Sequence, residues 1–492
     1  MNKKHQLHIL PAFTALIITV AIIVCGCGSG GSAADEETAG SADTAVTEDI
    51  ETTTAALKDT LPKGDFGGED FNILLWDYSQ IAAEEETGDV INDAVYRRNL
   101  EVEELYNVNM VFDVRKGSSE SGQSAVWLNS LTSAILAGDD SIHLAGGYGY
   151  RLASHSLYGG FHNLNELSAI DFSEPWWSER IMESSMFGNQ IFMAVGSADP
   201  QYYDCVYAMY FNKRFAEMYN IDDLYGLVRG GKWTLDKLIE YSALASADLN
   251  GDNVMDDTDR YGYLTGWNME IDAFIPACEI KITGKDKDGM PELLGLSERY
   301  VDAQKKLSDF TKQSGNVLYK DSWSLITPFM NGQGLFLAER IQVSHIMREM
   351  EDDFGILPYP KWNEQQDSYG TYLCIDNTTG FSIPITADGD KSGCILNALS
   401  ALGYEIMRPE YYERVLKTKV ARDEDSAEML DIIFGSVTDD FSHFYSFCFG
   451  DQGSPWMLMR MSLRRDAEIT SMWAKNETMY QSKMEELISI LK

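Results

Sequence analysis

Between Phe71 and Ala145 the hydrophobic pattern alternates between two periods, and that alternation limits the fold more than any other feature of the chain. The run Phe71-Asn72-Ile73-Leu74-Leu75-Trp76 follows a Gly-rich turn and predicts a buried strand. Asp89 to Tyr106 carries Ile91, Val95, Val102 and Leu105 at near-helical spacing, with Asp89 as the cap. Val108 to Val114 alternates as a strand does. Ser124 to Ala137 reads as a helix stopped by Gly138, and Ile142 to Ala145 as a third strand. Strand, helix, strand, helix, strand at this spacing implies a parallel sheet wound with helices. Ligands of such sheets sit beyond the carboxyl ends of the strands. Trp76 with Tyr78, and Tyr148 with Tyr150, occupy those ends.

Further along, Pro175-Trp176-Trp177 and Asp199 to Tyr203 read as aromatic loops. Cys205 to Phe211 is strand-like and leads into a helix, and Thr234 caps another that runs to about Ala247. Gly332 and Gly334 lead into Leu335-Phe336-Leu337; Asp353 to Pro360 and Gly380 to Pro384 are also strand-like. The chain closes in helices, including a stretch from about Met457 to Leu491. Nothing repeats at a fixed period.

The first 27 residues decide where the rest must work. Lys3 and Lys4 precede an apolar run from Ile9 to Val24 that contains Pro11, short of the about 20 residues a spanning helix needs. Val24-Cys25-Gly26-Cys27 resembles a bacterial lipobox, which implies a diacylated Cys27 and a protein held at the cell membrane, facing outside the cytoplasm. Residues 28–65 are rich in Gly, Ser, Thr, Ala, Asp and Glu and cannot bury enough surface to offset their ordering entropy, so they read as a flexible acidic linker. With 39 basic against 77 acidic residues, the chain carries −38, which argues against nucleic acid as a partner. Cys205, Cys278, Cys374, Cys394 and Cys448 show no CxxC spacing and read as buried thiols.

The sharpest local signal is Asp248 to Asp259. As a twelve-residue calcium loop it offers Asp248, Asn250, Asp252, Asp256 and Asp259 as oxygen ligands, with the Val254 carbonyl. Asn253 replaces the usual Gly at the sharp turn, and Asn tolerates the left-handed conformation. One such loop implies a single structural calcium ion. Gly26 to Gly31 spells GxGxxG without a strand before it, and Gly226 to Lys232 spells GxxxxGK with Trp233 in place of Ser or Thr, so neither is a nucleotide site. Trp76, Trp176, Trp177, Trp267 and Trp456 lie in or beside predicted loops, where large rings face a ligand or pack inward. Flat rings suit the apolar faces of sugars, with nearby acids, amides and Arg for the hydroxyls.

These residues together resemble the extracellular solute-binding lipoproteins of ABC importers, especially the carbohydrate-type family 1 group that includes the maltodextrin binders. The likeness rests on Cys27, on Tyr210-Phe211-Asn212-Lys213 before a helix, and on Gly231 to Leu238. It also rests on the aspartate-rich loop ending at Arg260-Tyr261-Gly262, on Gly332 to Phe336 and on Phe354 to Lys361.

The resemblance implies an α/β, two-lobed periplasmic-binding-protein-like fold, each lobe a mostly parallel sheet flanked by helices and joined by crossover strands. Lobe 1 would comprise 66–206 plus 336–388, and lobe 2 207–335 plus 389–492. The first crossing would be Tyr207 to Phe211, the second Leu335 to Leu337. It implies a non-enzyme that captures a small-molecule solute, an oligosaccharide, and delivers it to ABC permease subunits. Its ligand contacts would be Trp76, Asp77, Tyr148, Trp176, Trp177, Trp267, Asn268, Asp272, Glu339, Arg340 and Trp456. A surface-anchored glycoside hydrolase and a calcium-dependent adhesin are the alternatives.

Overall fold

The computed structural model describes residues 54–490 except 120–121, 222, 418–423 and 451–452. The signal segment, Cys27 and most of the linker lie outside the described residues. The end of the expected linker is ordered: residues 54–60 are helical, and Thr54 and Leu61 are buried against the body.

Thirteen strands are described. In chain order they are β1 (Glu69–Trp76), β2 (Val108–Arg115), β3 (Leu144–Tyr148), β4 (Tyr207–Asn212) and β5 (Tyr261–Gly266). A hairpin of β6 (Thr283–Lys285) and β7 (Pro291–Leu293) follows, then β8 (Val317–Lys320), β9 (Gly334–Arg340) and β10 (Phe354–Leu357). The last are β11 (Thr371–Tyr372), β12 (Thr379–Ser382) and β13 (Val437–Thr438).

The first lobe is built on a sheet of order β12-β3-β1-β2, in which β2 and β3 run parallel to β1. The helix Val90–Tyr106 makes the first crossover, and the Asp89 carboxylate accepts from Ile91 N and Asn92 N as a cap should. Gln123–Leu136 makes the second. A Cβ on Gly147 would lie 2.6 Å from the Trp127 ring, so β3 lies flush against that indole. β12 closes the edge antiparallel to β3.

The second sheet has the order β10-β4-β9-β5-β8. β5 is parallel to β8 and β9, whereas β4 is antiparallel to β9 and β10, so this sheet is mixed rather than mostly parallel. Every residue of β4, β5 and β9 is buried, as central strands covered on both faces must be, and so is every residue of the edge strand β10. Thr234 caps Leu235–Ala245, which lies so close to β5 that a Cβ on Gly262 would be 2.0 Å from the Ser242 carbonyl oxygen.

Three expectations about the lobes are corrected. Tyr207 to Phe211 and Leu335 to Leu337 are not crossings but interior strands of the second sheet, because long apolar runs pair best where both edges find partners. Two of the links are Cys205–Val206 and Leu373–Thr378, which lie side by side: Val206 bridges Leu373, and Cys374 N donates to Cys205 O at 3.0 Å. The chain returns to the second lobe between helix Arg408–Lys417, packed on Val90–Tyr106, and helix Glu424–Gly435, packed on β10. Accordingly β9 and β10 belong to the second lobe, and helix Gly389–Leu402 packs on Val90–Tyr106 of the first. The closing helical stretch is two helices, Leu458–Arg465 and Ile469–Ile490, separated at Asp466 in the left-handed conformation. No described helix is long and apolar enough to cross a membrane.

Candidate functional site between the lobes

The carboxyl ends of β1 and β3 supply one wall. Trp76 ends β1 fully buried, its Nε1 donating to Thr379 Oγ1 at 2.9 Å, and its ring is covered by Tyr78 and Tyr148 at 5.4 and 5.7 Å. Asp77 is exposed, with Oδ1 accepting from Gly117 N at 2.9 Å. Tyr148 ends β3 and Tyr150 follows it, and the Arg151 guanidinium lies 4.4 Å from the centre of the Phe447 ring.

The ends of β5 and β9 supply the other wall. After Gly266 comes Trp267, half-buried and edge-on to Tyr319. Gly266 has no side chain because a Cβ there would meet the Glu270 carboxylate at 2.2 Å. Asn268 N donates to Glu270 Oε2 at 3.1 Å, and Asn268 Oδ1 accepts from Arg464 Nη1 at 3.2 Å. β9 ends in Glu339 and Arg340; Arg340 N donates to Glu339 Oε1 at 2.9 Å, and the guanidinium lies over Trp323, which is 51% exposed.

Between the walls lies a buried polar seam. Arg460 Nη1 is 3.0 Å from Asp272 Oδ2. The seam also holds a relay in which Asp439 Oδ1 meets His443 Nδ1 at 2.5 Å, while His443 Nε2 meets the hydroxyls of Tyr150 and Tyr372. Trp456 closes it, its ring 4.6 Å from His443 and 6.0 Å from Tyr372. Burial drives the acids toward their neutral forms. Asp272 is pushed up to about 6 by burial against the opposing pull of Arg460 and His443. Glu270 is pushed up to about 7 by burial and then by the charge of Glu339, and burial raises Glu339 too.

Most of the predicted residues do gather here: Tyr148, Asn268, Asp272, Glu339, Arg340 and Trp456 in or at the seam, Trp267 at its rim, and Trp76 and Asp77 behind and beside Tyr148. Trp176 and Trp177 do not. Trp176 donates from Nε1 to Asn397 Oδ1 at 2.9 Å, and Trp177 packs edge-on to Phe172, both buried in the first lobe. Their pairing after Pro175 marked a loop, but the loop folds inward because two rings bury more apolar surface than a turn can leave in water. Sequence reasoning missed Trp323, His443 and Arg460. Arg460 and Arg464 are one helical turn apart, as are Asp439 and His443, and that spacing was the available signal.

The loop 248–259 turns as expected, with Asn253 left-handed at φ 65°. Its oxygens accept the loop's own N–H groups: Asp248 from Gly251 and Asn253, Asp252 from Val254, and Asp259 from Leu249 and Asp256. Among the described residues no three acidic, Cys or His side chains are gathered as a metal site. The five cysteines outside the signal are all free thiols.

Two α/β lobes hung on adjacent crossing segments, with a polar and aromatic seam at the strand ends, define the two-lobed periplasmic-binding-protein-like fold. Solved structures that share it include M. tuberculosis UspC, with TM-score 0.55 and 10% identity over 84% of this chain and 100% of that one. A cyclo/maltodextrin-binding protein complexed with maltotetraose is similar at TM-score 0.53 and 11% identity, over 88% and 97% of the two chains. The GacH receptor of Streptomyces glaucescens, solved unliganded and with acarbose, follows at 0.51 and 12%, over 85% and 99%. No family model matches the chain, and no curated protein matches it in sequence.

Proposed function

We propose that this protein captures an extracellular oligosaccharide between its lobes and hands it to an ABC permease. The observation that carries the reading is a group of unpartnered polar atoms at the seam. Oδ1 of Asp272, Oε2 of Glu339, Oδ2 of Asp439 and Nε1 of Trp456 are buried without a hydrogen-bond partner, and all belong to the seam, where Asp272 Oδ2 meets only the Arg460 guanidinium. Each such atom costs about 1–3 kcal/mol. Sugar hydroxyls, which donate and accept, satisfy this set when the lobes part and close around them. Two of the structurally similar proteins were solved with maltotetraose and with acarbose, which supports the same ligand class here. The ligand contacts of this proposal are Asp77, Tyr148, Trp267, Asn268, Asp272, Glu339, Arg340 and Trp456, with Trp76 backing Tyr148.

Isothermal titration of residues 28–492 against a panel of oligosaccharides tests it. Saturable binding without turnover is the expected result; turnover of the sugars, or no binding across the panel, overturns it. The proposal includes anchorage through a diacylated Cys27, which mass analysis of the membrane-extracted N-terminus checks. It also includes one calcium in loop 248–259, read from the spacing of its oxygens.

A further inference from the structure

A cavity of about 600 Å³ lies between helix Glu179–Ser185 of the first lobe and the β6–β7 side of the second. It shares Trp456 and Asp439 with the seam and extends away from it. Its volume falls in the range of about 300–1,000 Å³ typical of small-molecule sites. Tyr369, Phe441 and Trp456 give it ring surfaces, and the Ser184 and Thr283 side chains give it hydroxyls.

Its charge is what sets it apart. On a chain of net charge −38, the basic residues Arg180, Lys281, Lys285 and Arg299 all line this one cavity. The acids beside them are engaged, save for Oδ2 of Asp439. Asp440 Oδ1 accepts from Ser442 N and Oγ, and Oδ2 from Ile282 N and Thr283 N. Asp439 is held by His443, and Glu279 pairs with Arg299 at 3.4 Å. Of the cations, Lys285 Nζ donates to the Glu183 carbonyl. Arg180 on one lobe and Lys281 on the other have no ion-pair partner among the described residues. Two exposed cations facing one cavity from opposite lobes offer a site for a carboxylate, and the rings and hydroxyls around them suit a sugar.

We infer that the captured saccharide is acidic: it extends from Trp456 into this cavity, where Arg180 and Lys281 hold the carboxylate of a uronic acid unit across the two lobes. The inference rests on the capture reading above and narrows its substrate class. A chain this acidic repels anions at long range, so binding depends on those two cations and weakens with salt as their attraction is screened.

The test is titration calorimetry of residues 28–492 with trigalacturonic acid and with maltotriose, in the unaltered protein and in Arg180→Gln and Lys281→Gln. Both side chains are exposed, so circular dichroism should show the variants folded alike. The expected result is that trigalacturonic acid binds more tightly than maltotriose, that each substitution weakens it roughly tenfold while maltotriose changes less than about twofold, and that the substitutions flatten its salt dependence. Maltotriose binding as tightly as the acid, or acid affinity indifferent to both substitutions, overturns the inference and leaves the capture reading standing. Failure of every saccharide, neutral or acidic, overturns both.

Discussion

The pair Glu270 and Glu339 makes the most exacting prediction. They are 2% and 0% exposed, and a single guanidinium, that of Arg340, lies against Glu339. Burial and then the Glu339 charge move Glu270 from 4.5 to about 7. At 1.36 kcal/mol per unit, this is about 3 kcal/mol of free energy linked to pH. The folded protein holds the proton more tightly than the unfolded chain, so the contribution is complete below pH 4.5 and is lost as pH rises through 7. Glu270→Gln stays neutral at every pH and relieves Glu339 as well, at the cost of the Asn268 N–H bond to a carboxylate. In urea unfolding at pH 4.5 and at pH 8.5, the unaltered protein should lose about 3 kcal/mol more than the variant between the two conditions. The two should therefore be close in stability in acid, where Glu270 carries its proton, and the variant should be the more stable in base. Parallel pH dependence in the two proteins would refute the linkage, and with it the view that Glu270 and Glu339 are one acid more than Arg340 can balance.

Other outcomes follow from neighbouring contacts. Asp272→Ala strands the buried Arg460 charge and should cost about 3–5 kcal/mol, whereas Asp272→Leu with Arg460→Met should recover most of it; equal losses in urea unfolding would show that the pair is not the cause. Gly262→Ala drives a Cβ to within 2.0 Å of the Ser242 carbonyl and should cost more than about 3 kcal/mol. Gly295→Ala, at φ +83° with nothing within 4 Å, should cost only the about 1–3 kcal/mol of its backbone strain, and the reverse ranking would refute the packing account. Calcium at millimolar concentration should raise the melting temperature relative to chelator, and Asp248→Ala with Asp259→Ala should abolish the rise; identical melting curves with and without calcium would remove the ion from loop 248–259.

The first lobe was legible because its information is local. Asp89, Gly138 and the apolar runs at 71–76 and 108–114 each state their own conformation, and right-handed crossover fixes their arrangement. The lobe boundaries were not legible. Leu335 to Leu337 reads the same whether it crosses between sheets or fills the centre of one, since either place buries both faces, and only pairing with Tyr210 and Leu264 decides it. The candidate site divides the same way. Residues at strand ends, Tyr148, Trp267, Glu339 and Arg340, follow from topology once the strands are known. His443 and Arg460 arrive from segments far along the chain, on helices whose docking no local pattern states. Trp176 and Trp177 misled because a ring in a loop carries no sign of which way it turns.

The joined links at Cys205–Val206 and Leu373–Cys374 have a mechanical consequence. A hydrogen-bonded ribbon of two strands flexes easily out of its plane and resists shear within it, as a leaf spring does. The lobes should therefore swing on one axis instead of sliding past each other. A single interlobe distance, read between one dye on each half, should then describe the whole trajectory from parted to shut.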